Sequence, residues 1–167
     1  MVILLMGVSG SGKTTVGEKL AAVLGWSFCD GDNLHPPANV DKMSAGIPLT
    51  DADRAPWLAA IRTRIDGSLA RGENLIVACS ALREKYRHLL ISDPARVKLV
   101  FLWGDFDLID RRMKRRHGHF MKENMLKSQF ETLEPPCDAL KINVAHTPDE
   151  VVAAIRKALA LPASPGI

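Results

Sequence analysis

The stretch Gly7-Val8-Ser9-Gly10-Ser11-Gly12-Lys13-Thr14 constrains the fold of this chain more than any other. An apolar run of strand length, Val2 to Met6, leads into it. Beyond it, Val16, Leu20, Val23 and Leu24 recur at helical spacing until Gly25. Glycines at 7, 10 and 12 let a turn form and let its backbone approach an anion. A helix starting there aims its first N–H groups at the same anion. Lys13 adds a point charge for β- and γ-phosphates, and the Thr14 hydroxyl is a candidate Mg²⁺ ligand. Residues Gly7, Val8, Ser9, Gly10, Ser11, Gly12, Lys13, Thr14 and Thr15 are therefore expected to hold the phosphates of a nucleotide.

The rest of the chain fits that beginning. Short apolar runs alternate with amphipathic segments: Trp26 to Asp30, Leu75 to Cys79, Val97 to Trp103 and Leu140 to Val144 read as further strands. Between them, helices are expected over Pro36 to Ser44, from Thr50 to about Gly72, from an N-cap at Ser80 to about Leu90, from Asp105 or Asp107 to Gly118, and over Lys122 to Leu133. A last helix opens at Thr147-Pro148-Asp149-Glu150. Unbroken apolar strands between helices predict a five-stranded parallel sheet covered on both faces, a three-layer α/β architecture with ligands at the carboxyl ends of the strands. With 167 residues and no internal repeat or linker, one domain over residues 1–167 is expected.

Several function classes drop out. No apolar run approaches the ~20 residues of a membrane span, and the start lacks a basic region, which argues against a signal peptide. Cys29, Cys79 and Cys137 are far apart and lack metal-ligand spacing, as for free thiols of a cytoplasmic protein. A net charge of +3 without aromatic residues in the basic run gives no case for nucleic acid. There is no N-K-x-D motif of GTPases, and the third strand ends Ala78-Cys79-Ser80 without the Asp of motor and transport ATPases. A small-molecule kinase remains. The basic run from Arg111 to His117 suits a lid over about 112–134, in which Arg112 and Arg116, four apart, share a helix face over the nucleotide. Asp30-Gly31-Asp32-Asn33-Leu34-His35 follows the second strand at the same edge of the sheet. A carboxylate there can orient an attacking hydroxyl.

Further segments carry a resemblance: Pro48-Leu49-Thr50-Asp51 with Asp53-Arg54 and Pro56-Trp57, Cys79-Ser80-Ala81-Leu82, Tyr86-Arg87, Gly118-His119-Phe120, and Gln129-Phe130-Glu131-Thr132-Leu133-Glu134. With the glycine-rich turn and Asp30 to Pro36, they make the chain resemble the gluconate kinases, small P-loop kinases related to shikimate and adenylate kinases. The resemblance implies ATP- and Mg²⁺-dependent phosphorylation of D-gluconate at O6 in carbohydrate-acid catabolism, a cytoplasmic setting and a homodimer. It implies catalytic roles for Lys13, Asp32 and Arg116, with Arg112 and Arg116 on ATP. The implied acceptor site comprises Asp32, His35, Arg54, Ser80, Arg83, Arg87, His119 and Gln129. Arg54 is the first choice for the substrate carboxylate; surface pairing with Asp51 or Asp53 is the alternative role. Another small-molecule kinase, for shikimate or a nucleoside monophosphate, is the alternative function. Ser80-Ala81-Leu82, in place of the glycine-rich turn of shikimate kinases, argues against shikimate.

Overall fold

A computed structural model describes residues 1–115 and 123–162. Arg116, His119 and the Gly118-His119-Phe120 segment lie outside the described residues. The chain runs β1 (Val2–Met6), α1 (Lys13–Leu24), β2 (Ser27–Asp30), a 3₁₀ turn (Gly31–Leu34), α2 (Pro37–Ser44), α3 (Asp51–Ala70), β3 (Leu75–Ala78), α4 (Glu84–Leu90), β4 (Val97–Trp103), α5 (Phe106–Arg115), α6 (Glu123–Thr132), β5 (Leu140–Asn143) and α7 (Pro148–Ala158).

The five strands form one sheet in the order β2-β3-β1-β4-β5, and every neighbouring pair is parallel, as expected from the apolar runs. β1 is central and wholly buried. Alternation along it divides the core. Ile3 and Leu5 face a cluster with Leu20 of α1 and Ile155 of α7. Val2, Leu4 and Met6 face Trp57, Ile61 and Ile65 of α3 and Tyr86 and Leu90 of α4. The crossover from β1 leads to β2 on one side of the sheet, whereas the crossover from its neighbour β4 leads to β5 on the other. The crevice this opens at the carboxyl end of β1 is where an open α/β sheet takes its ligand, and Gly7 to Thr14 begin there.

Helix starts differ in a way that bears on function. α3 and α7 carry capping boxes, Thr50 with Asp53 and Thr147 with Glu150, which satisfy their first N–H groups internally. α1 has Gly12 at its N-cap with φ 91°, no side-chain cap and no acidic residue in its first turn. Its N-terminal donors are thus left for an anion.

The helix expected from Ser80 begins later, at Glu84. Backbone hydrogen bonds hold Cys79 to Leu5, and the Gly7 N–H donates to the Ser80 carbonyl at 3.3 Å. Ala81 then takes φ 42°. The Leu82 carbonyl accepts from the Glu134 N–H at 2.9 Å and from Arg87 Nη1 at 3.1 Å. These tertiary bonds take the carbonyls a helix would have used, so Ser80 caps nothing and the chain passes irregularly beside the glycine-rich turn.

Candidate active site

At the nucleotide end, Lys13 Nζ donates to the carbonyls of Gly7 and Val8, both at 3.0 Å, and so lies folded along the loop. A Cβ on Gly10 would meet the Met113 side chain at 2.7 Å, so the loop rests directly on α5. Ser11 is 1 % exposed, and among the described residues its hydroxyl has no hydrogen-bond partner. A buried orphan hydroxyl, an uncapped helix start and a lysine against the loop together fit a polyphosphate. Beside them opens a cleft of about 340 Å³, lined by Gly12, Thr15, Arg112, Val144 and His146 among others. It has room for a nucleoside. Arg112 is fixed at its edge by donating to the Val144 carbonyl.

Thr14 Oγ1 donates to Asp30 Oδ2 at 2.7 Å. The other Asp30 oxygen accepts the Asp32 N–H at 3.1 Å and caps the 3₁₀ turn. Asp30, read from the sequence only as one of the carboxylates of the Asp30–His35 stretch, thus has a specific place. It joins the Thr14 hydroxyl to the turn that presents Asp32. A hydroxyl and a carboxylate are oxygen donors of the kind Mg²⁺ takes together with phosphates and water. Among the described residues, no cluster of three or more acidic, His or Cys side chains makes an all-protein metal cage. The D-x-D spacing was visible in the sequence; the approach of Thr14, 16 residues away, was not.

Asp32 is exposed on the turn, and His35 follows it. Trp57 of α3 fixes this corner. Its indole Nε1 donates to the Gly31 carbonyl at 2.7 Å, and its ring stacks on His35 with centroids 4.1 Å apart. Asn39 of α2, 3 % exposed, lies 3.3 Å from His35 Nδ1 and donates to the Asp53 carbonyl at 2.8 Å. Burial lowers the His35 pKa, with the positive charge of Arg54 acting in the same direction and Asp32 opposing. His35 therefore sits within electrostatic reach of both Asp32 and Arg54.

Arg54 projects half-buried from the first turn of α3. Neither neighbouring acid serves it. Lys85 and Tyr86 bind Asp51, and Lys42 and Thr50 bind Asp53; each set of hydrogen bonds lowers that carboxyl to a pKa of about 2. Arg54 Nη1 instead donates to Tyr86 Oη at 3.4 Å. Among the described residues it pairs with no carboxylate.

The remaining predicted residues divide. Gln129 of α6 reaches the loop: its Oε1 accepts the Ser9 N–H at 2.7 Å. Ser80 lies beside the loop through its carbonyl. Arg83 is half-buried at the start of α4, near Asp51. Arg87 is 5 % exposed and turned under the Ser80–Leu82 segment, with Nη1 on the Ala81 and Leu82 carbonyls.

An uncapped helix start below a glycine-rich turn, with an acidic corner opposite, defines a P-loop enzyme of the small kinase type. Residues 2–136 match the family model described as an AAA domain. The chain is 45 % identical over 160 residues to the thermosensitive gluconokinase of Escherichia coli strain K12, covering 93 % of this chain and 86 % of that protein. It is likewise 45 % identical to the gluconokinase of Gluconobacter oxydans strain 621H, covering 90 % and 86 %. The crystal structure of a gluconokinase from Sinorhizobium meliloti 1021 superposes with a TM-score of 0.85 at 47 % identity, covering 95 % of this chain and 91 % of that one. The chain belongs to the gluconokinase family.

Proposed function

We propose that this protein transfers the γ-phosphoryl group of ATP to the terminal hydroxyl of D-gluconate, giving 6-phospho-D-gluconate and ADP. The acceptor oxygen forms a bond to the γ-phosphorus as the bond to the β-phosphate oxygen breaks, and the hydroxyl proton leaves. Asp32, opposite the loop, orients that hydroxyl or receives its proton; a loose transition state asks mainly for positioning. Lys13 and the first N–H groups of α1 bear the phosphate charge. Thr14, with Asp30 behind it, would hold Mg²⁺, which when bound neutralises phosphate charge. Arg112 lines the nucleoside cleft. Arg116 belongs to the same proposal as the cation over the transferring group, within a single domain whose lid spans about 112–134.

One observation carries the choice of acceptor. Among the described residues Arg54 pairs with no carboxylate, while both acids beside it are taken by other cations. A half-buried guanidinium left so suits a substrate carboxylate, held bidentately. It belongs to α3 and Asp32 to the 3₁₀ turn, so different elements would hold the two ends of a sugar acid. Arg54→Ala should raise the gluconate KM about 10- to 100-fold and erode discrimination against uncharged polyols, with kcat little changed. Unchanged KM and unchanged polyol rejection would remove Arg54 from the site. A cytoplasmic setting and a homodimer complete the proposal. The three free cysteines support the first. The family resemblance supports the second, and sedimentation of the full chain measures it.

A further inference from the structure

The hydrogen bonds around Arg54 have a fixed direction. Tyr86, 7 % exposed, donates its hydroxyl hydrogen to Asp51 Oδ1 at 2.5 Å. Asp51 can only accept, because it is ionised: Lys85 and Tyr86 hold its pKa at about 2. The phenol has one hydrogen and spends it there, so toward Arg54 its oxygen can only accept. Arg54 Nη1 takes that position, and its guanidinium carbon lies 5.7 Å from the centroid of the Tyr86 ring. One of the two Nη1 hydrogens is thereby committed. Nε and Nη2, which form one planar edge, have no hydrogen bond with any described residue.

We propose that Tyr86 is the positioning residue of the acceptor-carboxylate clamp. Oriented by Asp51, it fixes Arg54 by Nη1 and leaves the Nε/Nη2 edge to receive the substrate carboxylate. This rests on the acceptor role given to Arg54 above. Tyr86 touches no reacting atom; it acts through Arg54. It lies 32 residues from Arg54 in the chain, on α4, so the clamp exists only when α3 and α4 are packed together. Asp51 and Lys85 stand behind it as the groups that set the direction of its hydroxyl.

Steady-state kinetics of the full chain, with ATP and either gluconate or an uncharged polyol of equal length, test this. Tyr86→Phe keeps the ring and removes the acceptor oxygen. It should raise the gluconate KM about tenfold, keep kcat within about threefold, and leave the KM for ATP and the polyol rates unmoved. In an Arg54→Ala background it should add nothing. Asp51→Asn, which can donate to the phenol and so reverse its hydroxyl, should give the same pattern. It also carries the test if Tyr86→Phe does not fold. A normal gluconate KM in both variants, with a raised KM in Arg54→Ala, would overturn the role of Tyr86 and leave the clamp intact. A raised KM for Tyr86→Phe that persists undiminished without Arg54 would also overturn it, because the phenol would then act on substrate directly. A normal KM in Arg54→Ala itself would instead strike at the acceptor site.

Discussion

At the nucleotide end of the site the donors come from one turn of backbone, Gly7 to Thr14. At the proposed acceptor end, Asp32, His35, Arg54 and Tyr86 come from the 3₁₀ turn, the residue after it, α3 and α4. The first end is local. It needs a strand to launch the turn, glycines to let the backbone through, and a helix start without a cap. The second is tertiary. Trp57 ties α3 to the Gly31 carbonyl, and Tyr86 ties α4 to Arg54. A site of the first kind survives wide change elsewhere in the fold, whereas one of the second kind moves with helix packing.

Breaking the nucleotide end should have the largest effect. Lys13→Ala should lower kcat/KM on the order of 10³-fold while thermal unfolding and circular dichroism remain those of the parent. A folded variant with near-parental turnover would falsify the phosphate site. Arg116→Ala should come next, with kcat down by ~10²-fold and a smaller change in ATP affinity. A change in the ATP KM alone would make Arg116 a ground-state binder rather than a group that acts on the moving phosphoryl.

Gly31→Ala sharpens the comparison from the other side. An added Cβ would lie 2.6 Å from the Ala78 carbonyl oxygen, which is backbone and cannot turn away. The 3₁₀ turn must then shift, at a cost of about 1–3 kcal/mol in stability. The gluconate kinetics should suffer more than ATP binding, which isothermal titration can separate. Equal losses at both ends would mean that they are not built independently.

The smallest effect concerns pH. Burial lowers the folded-state pKa of His35, so the unfolded chain binds its proton more readily. The stability it contributes is present above its unfolded value near 6.5 and is lost as pH falls through that value toward the folded one. Denaturant unfolding of His35→Gln between pH 7.5 and about 5 should therefore show a flatter dependence on pH than the parent. A steeper one would mean that His35 is charged in the folded protein.

The same division explains what could be read before the fold was known. The strands, the glycine-rich turn and both capping boxes are written in consecutive residues, and each forms where expected. Ser80 looked like a helix cap for the same local reason, but its carbonyl is claimed by Gly7, the first residue of the glycine-rich turn. Asp51 and Asp53 stand beside Arg54 in the sequence and offered surface pairing as the alternative to a substrate carboxylate. In the helix, Asp53 turns back to Thr50 and across to Lys42, while Asp51 reaches α4. Only the packing of α3 on α4 shows that, among the described residues, Arg54 is left without an acid and donates to Tyr86 instead. The pairing of Thr14 with Asp30 was hidden in the same way, because it needs β2 two strands away from β1 in the sheet.

Coupled ATP turnover by the full chain with gluconate, shikimate, glycerate and AMP in parallel tests the central claim most directly. Rapid ADP release with gluconate alone is predicted, with the product carrying its phosphate on the terminal carbon. Turnover with shikimate or AMP that equals or exceeds that with gluconate, or none with gluconate, would contradict it.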